Sequence, residues 1–420
     1  MSKKQKPKAI IVGGSIAGIS CAHALISAGW NVLVLEKSNS PPKGSSTGAG
    51  LRIDLLSQKI IKSWFSQPQR FQEITFPLAM DQNVVTDGDN TIRILTRDEN
   101  FNFRTAHWAD LHGLLYNDLP PEIFLWGYLC FSFCNSEGKT SVNVKAKCLQ
   151  TDEIIELNGD LLVAADGGQS TIRRILLPDL KLRYSGYCAW RGVLDFSGKR
   201  SSDTVTGLKK VYPDLGNCSY FHLSSGSHSV LYELRKEELN WVWYVHHPEP
   251  ELKGSSVTMK VSSDMINNMY QEAEKVWPPE FVKVMKETQE PFLNFIYDCD
   301  PLEQIVWENV VLIGDAAHPT TPHGARSTNM AIADAAVLGK CLGKWRVENL
   351  PSALEEYQHL RLPVTSKQVL HSRRMGRIKQ GLSLPDRKPF DPKTATPEDC
   401  EELQDKNMPF FAGVPGLDGR

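Results

Sequence analysis

At 420 residues the chain exceeds one ordinary domain, so two lobes or one large α/β unit with a sizeable core are expected. Lys and Arg number 47 against 49 Asp and Glu, a balance that argues against a nucleic-acid groove or a membrane-surface protein and for a small-molecule partner. Nine scattered cysteines in mostly apolar surroundings suit the reduced thiols of a cytoplasmic protein, with no disulfide framework.

The first eight residues are lysine-rich, but the apolar run after them is short and broken by glycine, so neither a secretory signal nor a membrane span is expected. No later run approaches the roughly 18 apolar residues of a span, and the closing GLDGR matches no retention or prenylation signal. Residues 8–38 read as strand, glycine turn, amphipathic helix (ISCAHALISAG) and second strand (NVLVLEK), a Rossmann-like βαβ start. From about 185 to 247, YCAWRGVLDF, SHSVLYELR and NWVWYVHH alternate apolar and polar residues between turn signals, as a half-buried antiparallel sheet does. Residues 256–290 read as helical. Around 307–340 a strand, NVVLIGD, leads through a Pro/Gly loop into a helix, STNMAIADAAVLGKCL, and the first lobe resumes. A helical stretch at 353–379, bent at Pro363, precedes a Pro- and charge-rich tail from 383 that is expected to be poorly ordered.

Three motifs carry chemistry. In the first, Gly13 permits a tight bend, Gly14 leaves room for a pyrophosphate, and Gly18 lets helix and strand approach, while Ser15 replaces the usual middle glycine. Glu36 ends the second strand at the distance expected of a ribose-binding acid. The bland alternative is a glycine turn that binds nothing. A hydrolase alternative makes Ser15 a nucleophile with Asp315 and His371 as partners, but no earlier strand precedes the turn to supply the second oxyanion-hole amide. The second motif, DLLVAADGGQSTIRR, places Asp166 and Gly167 at a strand end and Ser170 and Arg173 at a helix start; the carboxylate can organise groups round a phosphate and Arg173 can meet one, or Ser170 simply caps. In the third, VVLIGDAAHPTTPHGARSTNMAIADAAVL, Asp315 can hydrogen-bond a polyol hydroxyl, and the loop from Pro319 to Gly324 feeds a helix whose positive end can face a ring.

In this order and spacing the motifs resemble those of the FAD-dependent aromatic hydroxylases, single-component flavoprotein monooxygenases of the p-hydroxybenzoate hydroxylase type, over about residues 8–375. GGSIAG, AHWADLHGLL, SGYCAWRGV and TPHGARSTNMA look most like the 2,6-dihydroxypyridine hydroxylase-like branch. The Gly-Asp motif matches at Gly314, Asp315, Ala316, Ala317, His318 and Pro322, then Asn329 and Asp334, whereas later family glycines fall on Ala325 and Ser327 and an arginine falls on Trp108. The resemblance implies an α/β fold: a Rossmann-like FAD-binding domain from 8–80, 100–180 and 298–345, an inserted antiparallel-sheet substrate domain from 81–99 and 181–297, C-terminal helices at 346–382, and the tail 383–420.

It implies FAD contacts at Gly13, Gly14, Ser15, Ile16, Ala17, Gly18, Glu36, Lys37, Ala49, Trp108, Asp166, Gly167, Arg173, Gly314, Asp315, Pro322, Ala325 and Arg326. NADPH or NADH, as a transient co-substrate without a Rossmann domain of its own, reduces the flavin; O2 then forms a C4a-hydroperoxide that hydroxylates a small electron-rich aromatic or N-heteroaromatic ring. The backbone at Gly324, Ala325 and Arg326 is expected to face the reduced flavin. Tyr187, Trp190 and Arg191 either line the substrate face or pack the sheet, and His323 either deprotonates or orients a ring hydroxyl or serves structure. Arg52 either meets an acidic substrate or an NADPH phosphate or lies solvated in its loop. Isoprenoid epoxidation, urate-type purine oxidation, and a flavin-binding protein without oxygenase turnover remain alternatives. No histidine or cysteine spacing suits a metal. No nucleic acid or membrane partner is expected, and monomer and homodimer are both open.

Overall fold

The computed structural model describes residues 6–42, 48–88, 91–235, 237–251, 257–259, 261–345, 347–410 and 413–417. The expectations for the lysine-rich start and the closing residues therefore fall largely outside the described residues. Lys8–Val12 is apolar and buried after its first residue, as a strand covered on both faces must be. It lies inside a six-stranded sheet in the order Val306–Trp307, Val310–Leu312, Leu161–Ala164, Lys8–Val12, Asn31–Glu36 and Phe124–Trp126. All pairs are parallel except the hairpin at the first edge. The helices Ile16–Ser27 and Arg326–Lys344 pack together beside this sheet, giving the expected Rossmann-like arrangement. Among the described residues no helix is long and apolar enough to cross a membrane.

A second, eight-stranded sheet joins Thr258–Met259, Phe292–Asp298, Arg183–Asp195, Glu238–His246, Ser227–Leu234, Cys218–Ser224, Met80–Thr86 and Ile92–Asp98. Its pairs are antiparallel apart from Met80–Thr86 against Cys218–Ser224. Side chains alternate between its two faces. Trp190, Trp241 and Trp243 point to one face, under the helices Lys199–Val211, Ser263–Ala273 and Pro279–Glu287. Trp190 is thus sheet packing. Tyr187, Ala189, Val242 and Tyr244 point to the other. The small sheet of Gly50–Ile53, Phe103–His107 and Thr75–Leu78 adjoins that face, tied to it by Asn240 Oδ1, which accepts from the Gly50 amide at 2.8 Å.

The 30-residue helix Leu350–Lys379 contains Pro363. The tail after it is expected to be poorly ordered, yet several of its described residues are buried. Phe390, Cys400, Leu403 and Met408 are buried against the large sheet, and its charges find partners: Glu402 pairs with Arg374 and with Arg387 at 3.0 Å. Composition favoured disorder, but four apolar anchors and paired charges outweigh it.

Candidate functional site

The three motifs converge at strand ends of the six-stranded sheet. At the first, Gly13 adopts φ +108, and a Cβ there would lie 2.3 Å from the Ala165 carbonyl oxygen; one on Gly18 would lie 1.8 Å from the Gly13 oxygen. Only glycine allows this turn. Ser15 is the N-cap residue of Ile16–Ser27 but makes no side-chain cap bond, and among the described residues no histidine bonds to it, so the hydrolase reading has no support. Glu36 accepts from the Gly14 amide at 2.7 Å and from both the amide and hydroxyl of Ser38 at 2.8 Å.

At the second strand end, one Asp166 oxygen accepts from the Thr171 amide at 2.6 Å, and the other is buried without a partner. Burial raises this carboxyl's pKa against the hydrogen bonds that lower it. Ser170 does cap its helix, accepting from the Arg173 amide at 2.9 Å. Arg173 ties two motifs together. Its guanidinium donates to the carbonyls of Asp315 at 3.0 Å, Ala316 at 2.9 Å and Gly168, so these donors serve backbone. It staples the Asp-Gly end to the Gly-Asp end.

At the third, Asp315 Oδ1 accepts from the Ser327 hydroxyl at 2.7 Å, and burial raises its pKa. Beneath it Asp334 takes the Gly314 amide at 2.9 Å, His318 Nε2 at 2.5 Å and Arg361 Nε at 2.7 Å. Burial opposes ionisation of Asp334, but His318 and Arg361 win and hold its pKa at about 2. Gly324 and Ala325 both have positive φ, at +74 and 54, and lead into Arg326–Lys344.

Between these ends lies a trench of about 830 Å³, at the upper end of ordinary ligand sites. Gly13, Ser15, Glu36, Lys37, Asp166, Gly167, Arg191, Asp315 and Pro322 line it, with Arg174 in the place expected of Arg173. Gly14, Ile16, Ala17, Gly18, Ala49 and Gly314 shape the turns behind the lining. Trp108 is also behind it: its Cβ crowds the site where a Gly48 Cβ would lie, at 2.9 Å, and its ring sits 5.1 Å from His112. The buried, unpartnered oxygens of Asp166 and Thr320 beside this lining, with a glycine cradle that any Cβ would fill, suit a long polar phosphate-bearing cofactor.

A chamber of about 120 Å³ adjoins the trench, and Leu51, Arg191, Pro322, Ser327 and Thr328 line both. Its walls are Phe221, Val230, Tyr232, Val242 and Tyr244; its polar groups are Arg52, Arg191, His228, His323 and Arg326. Arg326 is paired with Asp54, and Arg52 with Asp405 at 3.1 Å, so Arg52 is a buried ion-pair member and not a solvated loop residue. Among the described residues Arg191 has no carboxylate partner, and its Nε is buried without a hydrogen bond. His323 Nε2 lies 3.3 Å from His228 Nε2, and His323 Nδ1 lies 3.2 Å from the Thr321 hydroxyl. Burial, aided by Lys379, Arg191 and Arg52, holds His323 well below the usual histidine pKa; burial, His323 and Lys379 do the same for His228. Both rings are therefore neutral near pH 7. Tyr187 stands behind His323, ring to ring at 5.8 Å, and does not line the chamber.

Phe221, His228, Tyr232 and Tyr244 are absent from the expected set. The signal for two of them was present: in SHSVLYELR the residues His228, Val230 and Tyr232 alternate onto one face, as Trp190 and Arg191 fall on opposite faces.

The site and fold together define a flavoprotein. Residues 8–82 match the FAD dependent oxidoreductase family and residues 302–372 the FAD binding domain family. The chain is 31% identical over 376 residues to the aurachin C monooxygenase/isomerase of Stigmatella aurantiaca, covering 88% of this chain and 89% of that protein. It is 26% identical over 373 residues to the 6-hydroxynicotinate 3-monooxygenase of Pseudomonas fluorescens, covering 86% and 89%. The structure of 2,6-dihydroxypyridine-3-hydroxylase from Arthrobacter nicotinovorans superposes with a TM-score of 0.76 at 22% identity, over 92% of this chain and 96% of that one. The chain belongs to the FAD-dependent monooxygenases of the aromatic-hydroxylase type, and it is an oxidoreductase that uses FAD.

Proposed function

We propose that this enzyme uses NAD(P)H and O2 to hydroxylate a small, electron-rich aromatic or N-heteroaromatic ring that binds as an anion. The observation that carries this reading is the chamber: apolar walls with Arg191, a cation that has no carboxylate partner among the described residues, at its junction with the trench. Its volume, well below the roughly 300–1,000 Å³ of common ligand sites, suits one ring and not an isoprenoid chain.

Bound FAD would supply reduction by NAD(P)H and the activation of O2 that delivers one oxygen atom. The turn at Gly13 to Gly18 would hold its pyrophosphate, Glu36 a ribose, and Asp315 a hydroxyl of the chain between. The start of Arg326–Lys344 turns the positive end of its dipole toward the junction, where negative charge is stabilised. Arg191 anchors the anionic ring by charge-assisted hydrogen bonds. Burial, with the nearby cations, keeps His323 neutral, so it orients a ring hydroxyl as an uncharged hydrogen-bond partner, while the same cations favour an anionic ring. The nine free cysteines fit a reducing compartment such as the cytoplasm.

The test is coenzyme oxidation by the yellow protein with 6-hydroxynicotinate, 3-hydroxybenzoate and 2,6-dihydroxypyridine under 18O2. At least one ring is expected to stimulate oxidation and leave as a product carrying one labelled oxygen. Oxidation indifferent to every ring would instead indicate a flavin-binding protein without oxygenase turnover.

A further inference from the structure

The family match on the C-terminal side ends at residue 372, yet the chamber's inner wall leans on the tail beyond it. Asp405 is fully buried and pairs with Arg52, whose side chain is also buried. The Arg52 guanidinium carbon lies 4.9 Å from the Phe221 ring, and Lys379 Nζ lies 3.5 Å from the same ring. Arg52 and Phe221 both line the chamber. Lys379 Nζ, both oxygens of Asp81 and one of Asp405 are buried without hydrogen-bond partners. Strand register puts Asp81 opposite Ser219 and Asn83 opposite Phe221, so these side chains share the face that looks toward the tail. Asn83 Nδ2 reaches the tail directly, donating to the Leu403 carbonyl at 3.3 Å.

We propose that Asp405 is a positioning residue: through Arg52 and the Phe221 ring it fixes the charge and shape of the wall against which the ring substrate binds, so that ring affinity, and not FAD binding, depends on the tail. The proposal rests on the reading of the chamber given above. Its physical basis is that a buried guanidinium deprived of its carboxylate is poorly tolerated next to an apolar wall and turns away or draws in water. Charged groups around Asp405 come from several elements: Arg52 from the small sheet, Asp81 from the large sheet's edge, and His371 and Lys379 from the long helix, with Asp98 acting in turn on Asp81, and Arg326 and Glu402 on His371. Burial, then Asp405, push Asp81 up to about 7, and burial brings Lys379 down to about 8 against the pull of Asp405. Removing the Asp405 charge lowers both.

The test titrates the full-length FAD-loaded protein with benzoate, an anionic ring that cannot react as a phenol, following the flavin absorbance change across the range where Asp81 and Lys379 titrate. Asp405→Asn is expected to keep its flavin, lose benzoate affinity at least about tenfold, and shift the pH midpoint of binding downward. Asp405→Glu should recover most of the affinity, and Asp405→Asn added to Arg52→Gln should cost nothing further, since the effect runs through one pair. Wild-type affinity with an unshifted midpoint in Asp405→Asn, or additive losses, overturns the proposal. Should Asp405→Asn be insoluble, Arg52→Gln replaces it, with the same loss expected and wild-type affinity again overturning. A wild-type protein that binds benzoate but hydroxylates no ring fails the proposed function alone; one that binds no benzoate overturns both.

Discussion

Adding a single methyl group to the long helix should slow the enzyme while leaving its cofactor in place. A Cβ on Gly376 would lie 2.4 Å from Tyr187 Oη, 2.7 Å from His323 Nδ1 and 2.8 Å from His323 Cε1. Comfortable contact begins near 3.5 Å, so about 1 Å of movement is needed. Tyr187 has little room to supply it, being almost fully buried with its backbone paired to His246. His323 sits in a loop and yields, breaking its 3.3 Å contact with His228. A displacement of that size costs about 100-fold in rate when it moves a group that positions substrate. Overpacking costs about 1–3 kcal/mol, and replacing a helical glycine returns about 1 kcal/mol, so a fall in Tm of a few degrees at most is expected. Gly376→Ala is therefore predicted to purify yellow and fold, with kcat reduced about 100-fold. Flavin absorbance, thermal melting and steady-state kinetics report the three quantities separately. A folded, flavin-loaded Gly376→Ala protein turning over within about threefold of wild type would refute the placement of His323 as functional.

Other substitutions separate cofactor, substrate and scaffold. Asp315→Ala should purify with little FAD, measured by the ratio of flavin to protein absorbance, since it removes the buried carboxylate that lines the trench. Arg191→Met should keep its flavin while ring KM rises roughly 10- to 100-fold, the size of a lost charge-assisted bond of about 1.5–3 kcal/mol. Asp334→Asn should cost about 3–5 kcal/mol of stability in denaturant unfolding, because it strands Arg361 and His318 in the core. Asp334 also has a pH signature. Its folded pKa, at about 2, lies below the ordinary 3.8, so its contribution of roughly 2 kcal/mol is complete above pH 4 and is lost as pH falls toward 2. The difference in stability between wild type and Asp334→Asn should shrink over that window.

What the sequence made legible was local. Gly13, Glu36, Asp166 and Asp315 lie at or just past strand ends and Gly18 in the first turn of the following helix, where spacing alone determines what they face. The alternation that built the large sheet likewise needed only neighbouring residues. Arg173 could not be read this way, because its acceptors at Asp315 and Ala316 come from the turn Gly314–Ala316, far along the chain. Trp108 stands where the family resemblance implies an arginine, and its indole packs over Gly48. Composition misjudged the tail because burial of Leu403 and Met408 and the partner of Asp405 depend on elements distant in sequence.

Arg191 has a practical consequence for anyone assaying the enzyme. With no carboxylate partner among the described residues, its guanidinium attracts whatever small anion the medium offers. If it anchors the ring as proposed, chloride or acetate from the buffer competes with substrate, and affinities measured at high salt understate those in a dilute, non-coordinating buffer.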